Sequence, residues 1–511
     1  MKKITLAFGI IAAFFCLNAN LNKALAENID LRKAQQVAAN FMGAQTTGKA
    51  LPLDEVSFVY EIPNVELNIP ALYFFNTTNG GFCVVSGSDC LDPILAYSTE
   101  RVLDVENIPP SMLWFLQGYS DIIVYAQLND GQAPADALAA WDKMLNGNIE
   151  KSNSSKAVYN TLTSTWNQDY PYNYQCPFIS GTQAPTGCVA TAMGQIINYW
   201  EYPICPKGSP RYSSNGVTYG ENLNGVVYDY SLMPDTYNPS QPWSNAQRDM
   251  TAMFNYHVGL ANKMKYGAEA SGATPTYQNT SQKALTNYFK YQSTGIQTLL
   301  RYAAPYNTNF STAVPSNYVP THGDTLWFDL VSQEIMAKRP VFYGGHDNTS
   351  SGRDAGHAFV MDKYNPDVTH GINIHVNWGW GGSGDCYVNL LKSKLNAAGY
   401  KFHSDHHMII GIQPPADTLA ARNVGISQAK EDIELMPAYP NPASKWITLP
   451  YIINDNQGAK AELQIFSIDG RLVERRSINA NDRAVSINVE NYAHGIYTYR
   501  INGVARKFVV E

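Results

Sequence analysis

The strongest constraint on the fold is the order in which two kinds of apolar pattern appear. Helical spacing comes first, at Cys188 to Trp200, around Gln247 to His257, and at Leu326 to Lys338, the last ending before Pro340. Short strand-like segments then follow one another: Val341 to Tyr343, His357 to Asp362, Ile372 to Trp378, Cys386 to Leu390 and Met408 to Ile412. Helices first and strands afterwards predict an α+β unit with an antiparallel sheet over residues 151–415.

At 511 residues the chain exceeds one ordinary core and predicts about three domains. Residues 27–150 read as a first α+β unit. Asp30 caps a helix in which Leu31, Ala34, Ala38 and Phe41 share a face, with Gly43 as its stop. Strands at Leu72 to Asn76 and Gly81 to Ser86 are joined by a turn at Asn79-Gly80, and a helix near Ser111 to Gln127 closes the unit. The Asn-, Ser- and Lys-rich stretch from Asn146 to Lys156 reads as an exposed, cleavable linker. A second linker covers residues 416–436. Residues 437–511 alternate at Ile447 to Ile452, Leu463 to Phe466, Val485 to Val489 and Ile496 to Ile501, which predicts a small β-sandwich.

The first residues read as an export signal over 1–26. Lys2 and Lys3 precede an apolar run from Ile4 to Leu17, and Ala24-Leu25-Ala26 supplies the small-x-small cleavage pattern. The run is short for a membrane span. A net charge of −7 gives no basic footprint, so no nucleic-acid partner is expected. Of seven cysteines, Cys16 lies in the signal, and six in so long a chain make no disulfide scaffold. Cys83, Cys90, Cys176, Cys205 and Cys386 are open either to pairing or to simple burial.

Candidate chemistry starts at Cys188, in the first turn of an amphipathic helix and preceded by Gly187. Unpaired N–H groups at a helix start favour an anion, and the thiolate is the reactive form of cysteine. Helix onset and a neighbouring imidazolium together would favour ionisation at neutral pH. Taken alone, Cys188 fits a buried structural cysteine or a disulfide partner, for instance of Cys176, equally well. A nucleophile of this kind needs a base. His357 opens an alternating strand, Gly356-His357-Ala358-Phe359-Val360-Met361-Asp362, after a Gly-, Ser- and Asp-rich loop. A surface histidine at such a junction is the plain alternative, and His375 on the next strand is the rival. His403, His406 and His407 cluster with Asp405 without helical metal-ligand spacing, and read as a solvated loop. In Asn377-Trp378-Gly379-Trp380-Gly381-Gly382-Ser383-Gly384, two Trp among four Gly suggest an aromatic wall beside a loop. Asn377 and Trp378 must point to opposite faces of a strand, so only one can meet His357.

Four motifs in order carry a resemblance. They are Trp166-Asn167-Gln168-Asp169-Tyr170-Pro171-Tyr172-Asn173, Thr186-Gly187-Cys188-Val189-Ala190-Thr191-Ala192, Gly356-His357-Ala358-Phe359-Val360, and His375-Val376-Asn377-Trp378-Gly379-Trp380-Gly381-Gly382. Together they resemble the streptopain/interpain family of bacterial papain-fold cysteine proteases. Gly80-Gly81-Phe82-Cys83-Val84-Val85-Ser86-Gly87 and Ile94-Leu95-Ala96-Tyr97-Ser98 resemble that family's propeptide. The resemblance implies a papain-like catalytic domain behind an N-terminal α+β prodomain acting as intramolecular inhibitor. It makes Cys188 the nucleophile, His357 the base and Gln168 an oxyanion donor beside the Cys188 N–H. Trp378 stands where papain has an orienting Asn. The loop Tyr266 to Ala273, with Ser271 and Gly272, is similar to the substrate-side wall, and Trp380 and Gly356 line the same pocket. The implied reaction is endopeptidase cleavage of protein or peptide substrates through a thioester. It favours an apolar side chain second from the scissile bond on its amino side, with no metal or organic cofactor. A catalytically silent binder or inhibitor of the same fold, and a thiol acyltransferase, are the alternatives. Tyr439-Pro440-Asn441-Pro442, Gly495-Ile496-Tyr497-Thr498-Tyr499 and Lys507-Phe508-Val509-Val510 resemble the C-terminal sorting domains of the type IX secretion route. That implies contact with secretion machinery and a secreted or outer-surface location after export through the inner membrane. An adhesion or glycan-binding module would fit the same β pattern.

Overall fold

The computed structural model describes residues 26–511 apart from 65–67, 129–130, 148, 150–157, 273–276, 302–324, 347–355, 367–371, 391–405, 417, 419–432, 436–437, 454–459, 469–470, 480–481, 483 and 502–503. Residues 1–25 of the export signal, most of both linkers, Ala273, His403 and Asp405 lie outside the described residues. The chain forms two compact units, Met1–Gln413 and Pro414–Glu511. Among the described residues no helix is long and apolar enough to cross a membrane.

The first unit is built on one eleven-stranded sheet. Four strands come from the N-terminal region: β1 (Val56–Asn64), β2 (Ile69–Thr77), β3 (Phe82–Ser86) and β4 (Ile94–Ser98). Seven more follow: β5 (Tyr159–Asn160), β6 (Gln297–Arg301), β7 (Val341–His346), β8 (Gly356–Tyr364), β9 (Ile374–Asn377), β10 (Cys386–Val388) and β11 (His406–Ile410). The order is β1-β2-β3-β4-β10-β9-β8-β7-β11-β6, with β5 on β8. Neighbours pair antiparallel, as the α+β expectation requires. The join between the regions is β4 on β10, where Tyr97 faces Tyr387 and Ala96 faces Val388.

Helix α1 (Leu31–Thr46) packs on the N-terminal strands. Asp30 caps it, its side chain accepting from the Lys33 N–H. Ala34, Val37, Ala38 and Phe41 are buried, whereas Leu31 is exposed. Gly43 does not end the helix. It is buried within it because the returning chain crosses there: a Cβ on Gly43 would come within 2.0 Å of the Lys49 carbonyl oxygen. Helices α2 (Pro110–Leu128) and α3 (Ala135–Leu145) follow. Then come α4 (Cys188–Trp200), α5 (Asn245–Ala261), α6 (Tyr277–Asn287) and α7 (Thr325–Met336). Met112, Phe115, Leu116, Ile122 and Ile123 of α2 share one core with Phe359, Met361, Val376 and Trp378 from β8 and the β9 end. The N-terminal region thus shares both a sheet and a core with the region that follows it.

The second unit carries β12 (Ile433–Leu435), β13 (Trp446–Ile453), β14 (Lys460–Ser467), β15 (Leu472–Asn479), β16 (Ala484–Asn488), β17 (Gly495–Ile501) and β18 (Val504–Val510). They form a three-stranded sheet, β12-β13-β16, and a four-stranded one, β15-β14-β17-β18. Ile447, Leu449, Leu463, Ile465, Tyr499 and Phe508 make its core.

Candidate active site

Helix α4 begins at Cys188 and is buried on nearly every side. Gly187 before it adopts φ +86°, a conformation that disfavours any side chain. A Cβ there would also come within 2.7 Å of the Ser271 carbonyl oxygen. The chain therefore turns tightly into the helix, with Ser271 packed against the turn. Ser271 is buried and its Oγ donates to the Pro185 carbonyl at 2.6 Å. Gly272 is exposed and bridges Lys265. Both residues expected at the substrate wall thus lie beside the nucleophile turn.

Burial pushes the Cys188 thiol up, opposed by the backbone N–H groups of Ala358, Val189 and Cys188 itself. The lowered thiol expected from helix onset is not what this state shows, because desolvation outweighs the N–H groups. All six described cysteines are free, Cys176 included. Cys83, Cys90, Cys176 and Cys386 are simply buried.

Gln168 is buried on the segment that runs alongside this turn. The Thr186 N–H donates to the Gln168 carbonyl at 2.9 Å, two residues before Cys188. The Gln168 N–H in turn donates to Asn167 Oδ1 at 2.6 Å. The Gly381 N–H donates to the Trp166 carbonyl at 3.1 Å, which ties the glycine-rich loop to the same segment.

His357 is the second residue of β8, after Gly356, and both are half-buried. Alternation puts His357 on one face with Phe359 and Met361, and puts Ala358 and Val360 on the other, where α4 packs. The Ala358 N–H favours the Cys188 thiolate, which sets the residue after His357 beside the nucleophile. Trp378 is fully buried on the His357 face, its ring 4.8 Å from Phe359, with Nε1 donating to the Gly384 carbonyl at 2.8 Å. Asn377 points the opposite way, towards α4. Of the two, Trp378 is the one that shares a face with His357. Trp380 is half-buried at the rim of the same core.

His375 is held elsewhere. Its Nδ1 lies 2.7 Å from Asp362 Oδ1, and both side chains are buried. His406 and His407 are on strand β11 rather than in a solvated loop; His407 is fully buried, and His406 Nδ1 sits 3.0 Å from Tyr343 Oη.

Residues of the N-terminal region crowd this site. The Trp114 ring of α2 lies 6.0 Å from the His357 ring and 5.4 Å from that of His406. Arg101 Nη1 donates to the Gly381 carbonyl at 3.4 Å, and Ser383 Oγ donates to the Asn107 carbonyl at 3.2 Å. Trp114 was not singled out from sequence, because only the fold brings α2 across the sheet.

Family models match in chain order: the Spi protease inhibitor at residues 26–123, the peptidase C10 family at 166–388, and the secretion system C-terminal sorting domain at 437–511. The chain is 29% identical over 401 residues to the thiol protease/hemagglutinin PrtT of Porphyromonas gingivalis, covering 75% of this chain and 42% of that protein. It thus spans less than half of PrtT. It is 27% identical over 406 residues to streptopain of Streptococcus pyogenes, covering 74% of this chain and 88% of streptopain. A solved fragment of prointerpain A from Prevotella intermedia is 28% identical, with a TM-score of 0.52 over 70% of this chain and 99% of the fragment. The sorting domain marks the chain for export to a secreted or cell-surface location. Inhibitor, peptidase and sorting matches thus follow one another along a single polypeptide, and the match over residues 166–388 is to the peptidase C10 family of cysteine peptidases.

Proposed function

We propose that the chain is the zymogen of a secreted cysteine endopeptidase. Residues 27–150 act as its inhibitory prodomain, 151–415 as the catalytic domain and 437–511 as the sorting domain that engages the secretion machinery. The Cys188 thiolate attacks a peptide carbonyl, His357 protonates the leaving amine, and water hydrolyses the thioester. The Cys188 N–H and the Gln168 side chain donate to the developing oxyanion. Trp378 backs the His357 ring. Ser271, Gly272, Trp380 and Gly356 border the substrate, with an apolar side chain preferred second from the scissile bond on its amino side. No step calls for a metal or organic cofactor.

The observation that carries this reading is the packing of α4, which begins at Cys188, on β8, which begins at Gly356-His357. Latency is supported by Trp114, packed beside His357 from the N-terminal region. A cut within the linker from Asn146 to Lys156 would free that region, and with it the indole.

The test is incubation of the full chain and of Cys188→Ala with casein and with an epoxide that traps active thiols. The wild type is expected to lose about 150 N-terminal residues, to cleave casein and to be labelled at Cys188, and the variant to do none of these. Labelling without peptide cleavage would favour an acyltransferase instead. No labelling and no cleavage would favour a silent binder.

A further inference from the structure

We propose that Gln195 is a positioning residue for acyl transfer: it fixes the Gln168 segment and the Trp378 loop against the helix that carries the nucleophile. The inference rests on the peptidase reading above. Gln195 lies about two turns beyond Cys188 on α4 and is completely buried. A buried amide is costly unless it is paired. Here the side-chain bonds join two separate parts of the site to the helix, the 164–166 segment and Asn377. Gln195 Oε1 accepts from the Trp166 N–H at 3.0 Å, from Ser164 Oγ at 3.1 Å and from Asn377 Nδ2 at 3.1 Å. Gln195 Nε2 donates to Asn377 Oδ1 at 3.1 Å. Asn377 extends the clamp: its Nδ2 donates to the Ser164 carbonyl at 2.7 Å, and its Oδ1 accepts from the Gly379 N–H at 3.0 Å.

The two amides can face each other in only one sense. The Trp166 and Gly379 N–H groups each need an oxygen, so Oε1 and Oδ1 must point at them, and the two NH2 groups complete the pair. Packing alone would need none of this, since an apolar side chain of the same size would fill the space. The bonds instead hold two backbone N–H groups, one two residues before Gln168 and one directly after Trp378. Displacing an oxyanion donor by about 1 Å can cost on the order of 10²-fold in rate.

The test uses the full chain, each variant incubated until its N-terminal region has been released, with Gln195→Met, Gln195→Glu and the milder Ser164→Ala. Two rates are compared: peptide hydrolysis, which needs the oxyanion donors, and alkylation of Cys188 by iodoacetamide, a displacement at carbon that needs only the thiolate. Gln195→Met is expected to lower kcat on the order of 10²-fold, with KM and alkylation each within about twofold of wild type. Ser164→Ala, which removes one bond and leaves the clamp, is expected to lower kcat about threefold with the same split. Gln195→Glu is expected to recover hydrolysis towards acid pH, where a neutral carboxyl can both accept from Trp166 and donate to Asn377. A merely structural loss would not follow pH in that way. The inference is overturned if kcat stays within twofold of wild type in the folded variants, or if alkylation falls in step with hydrolysis. Should Gln195→Met not fold, unchanged kcat in Ser164→Ala with no acid recovery in Gln195→Glu overturns it too. A wild-type chain with a reactive thiol and no peptide hydrolysis would remove the peptidase reading itself, and this inference with it.

Discussion

The two faces of β8 and β9 are held by different physics. On one face, Phe359, Met361, Val376 and Trp378 meet Met112, Phe115 and Leu116 of α2 in an apolar core. On the other, Asn377 and His375 are buried polar groups, each committed to a named partner on Gln195 or Asp362. Apolar burial is proportional to area and has little directional demand. Hydrogen bonds demand both distance and angle. The apolar face meets the segment proposed to leave, and the polar face meets the helix that must keep its register with the strands. A removable cover is well served by area, and a permanent alignment by direction.

The largest way to break this comparison is Phe359→Ala. Its ring lies 4.8 Å from Trp378, 5.3 Å from Tyr343 and 6.2 Å from Phe115, so truncation leaves a cavity on the apolar face. The expected cost is about 3–5 kcal/mol in urea unfolding of the full chain. A cost below about 1 kcal/mol would mean that α2 is held by the sheet join at β4 and β10 and not by this core. On the polar face, Asn377→Leu keeps the volume but leaves two donors unpaired, Gln195 Nε2 and the Gly379 N–H. Each buried unpaired group costs about 1–3 kcal/mol, so a loss of at least about 2 kcal/mol is expected by the same measurement. A neutral result would show that direction is not what that face contributes.

The pH dependence sharpens the contrast through one buried carboxyl on the polar side. Asp385 sits at its edge, in a small cavity that Arg101, Asp362 and His375 also line. Burial raises its carboxyl to about 6, partly opposed by His375 and by the Trp378 N–H. An ordinary Asp titrates near about 3.9, so the folded chain binds this proton more tightly than the unfolded one. The stability it contributes is fully present below about pH 4 and is lost as pH rises towards about 6. Two pH units at about 1.4 kcal/mol each make that about 2–3 kcal/mol. Unfolding of wild type against Asp385→Asn between pH 4 and 7 should show the difference, with wild type losing stability relative to the variant as pH rises. A constant gap would mean that Asp385 is not the titrating group.

Some of this was readable from residues alone. The span Cys188–Trp200 was predicted to its last residue because both boundaries are local: Gly187 opens it, and Tyr202-Pro203 follows closely. The prediction that Asn377 and Trp378 diverge needed only strand alternation. The sheet join needed more. Ile94–Ser98 is buried throughout, so it has no alternation to reveal a face, and its partner Tyr387 is almost 300 positions from Tyr97. Edge strand β15 hid for the opposite reason: most of it is exposed, leaving little apolar pattern. Helix α3 is legible in the same way, with Ala137, Ala140, Trp141 and Met144 at helical spacing. Gln195 also left a signal, as an amide inside an apolar stripe, but its partners on two distant segments are visible only in the fold.

Trp114 tests the comparison at its finest, because it is a polar-tipped residue on the apolar face. Its ring fills the space beside His357 and lies against Gly345, where any Cβ would meet the indole at 2.2 Å. Yet its buried Nε1 has no hydrogen-bond partner. The residue therefore acts there by shape, and its N–H is a cost. Trp114→Phe gives up some contact area but also removes that buried donor, which is worth about 1–3 kcal/mol. The two effects oppose each other, so stability is expected to move by no more than about 1 kcal/mol in urea unfolding, with self-processing within about twofold of wild type. A loss above about 2 kcal/mol would mean that the indole N–H is satisfied in solution, and Trp114 would then belong with the directional contacts and not with the removable cover.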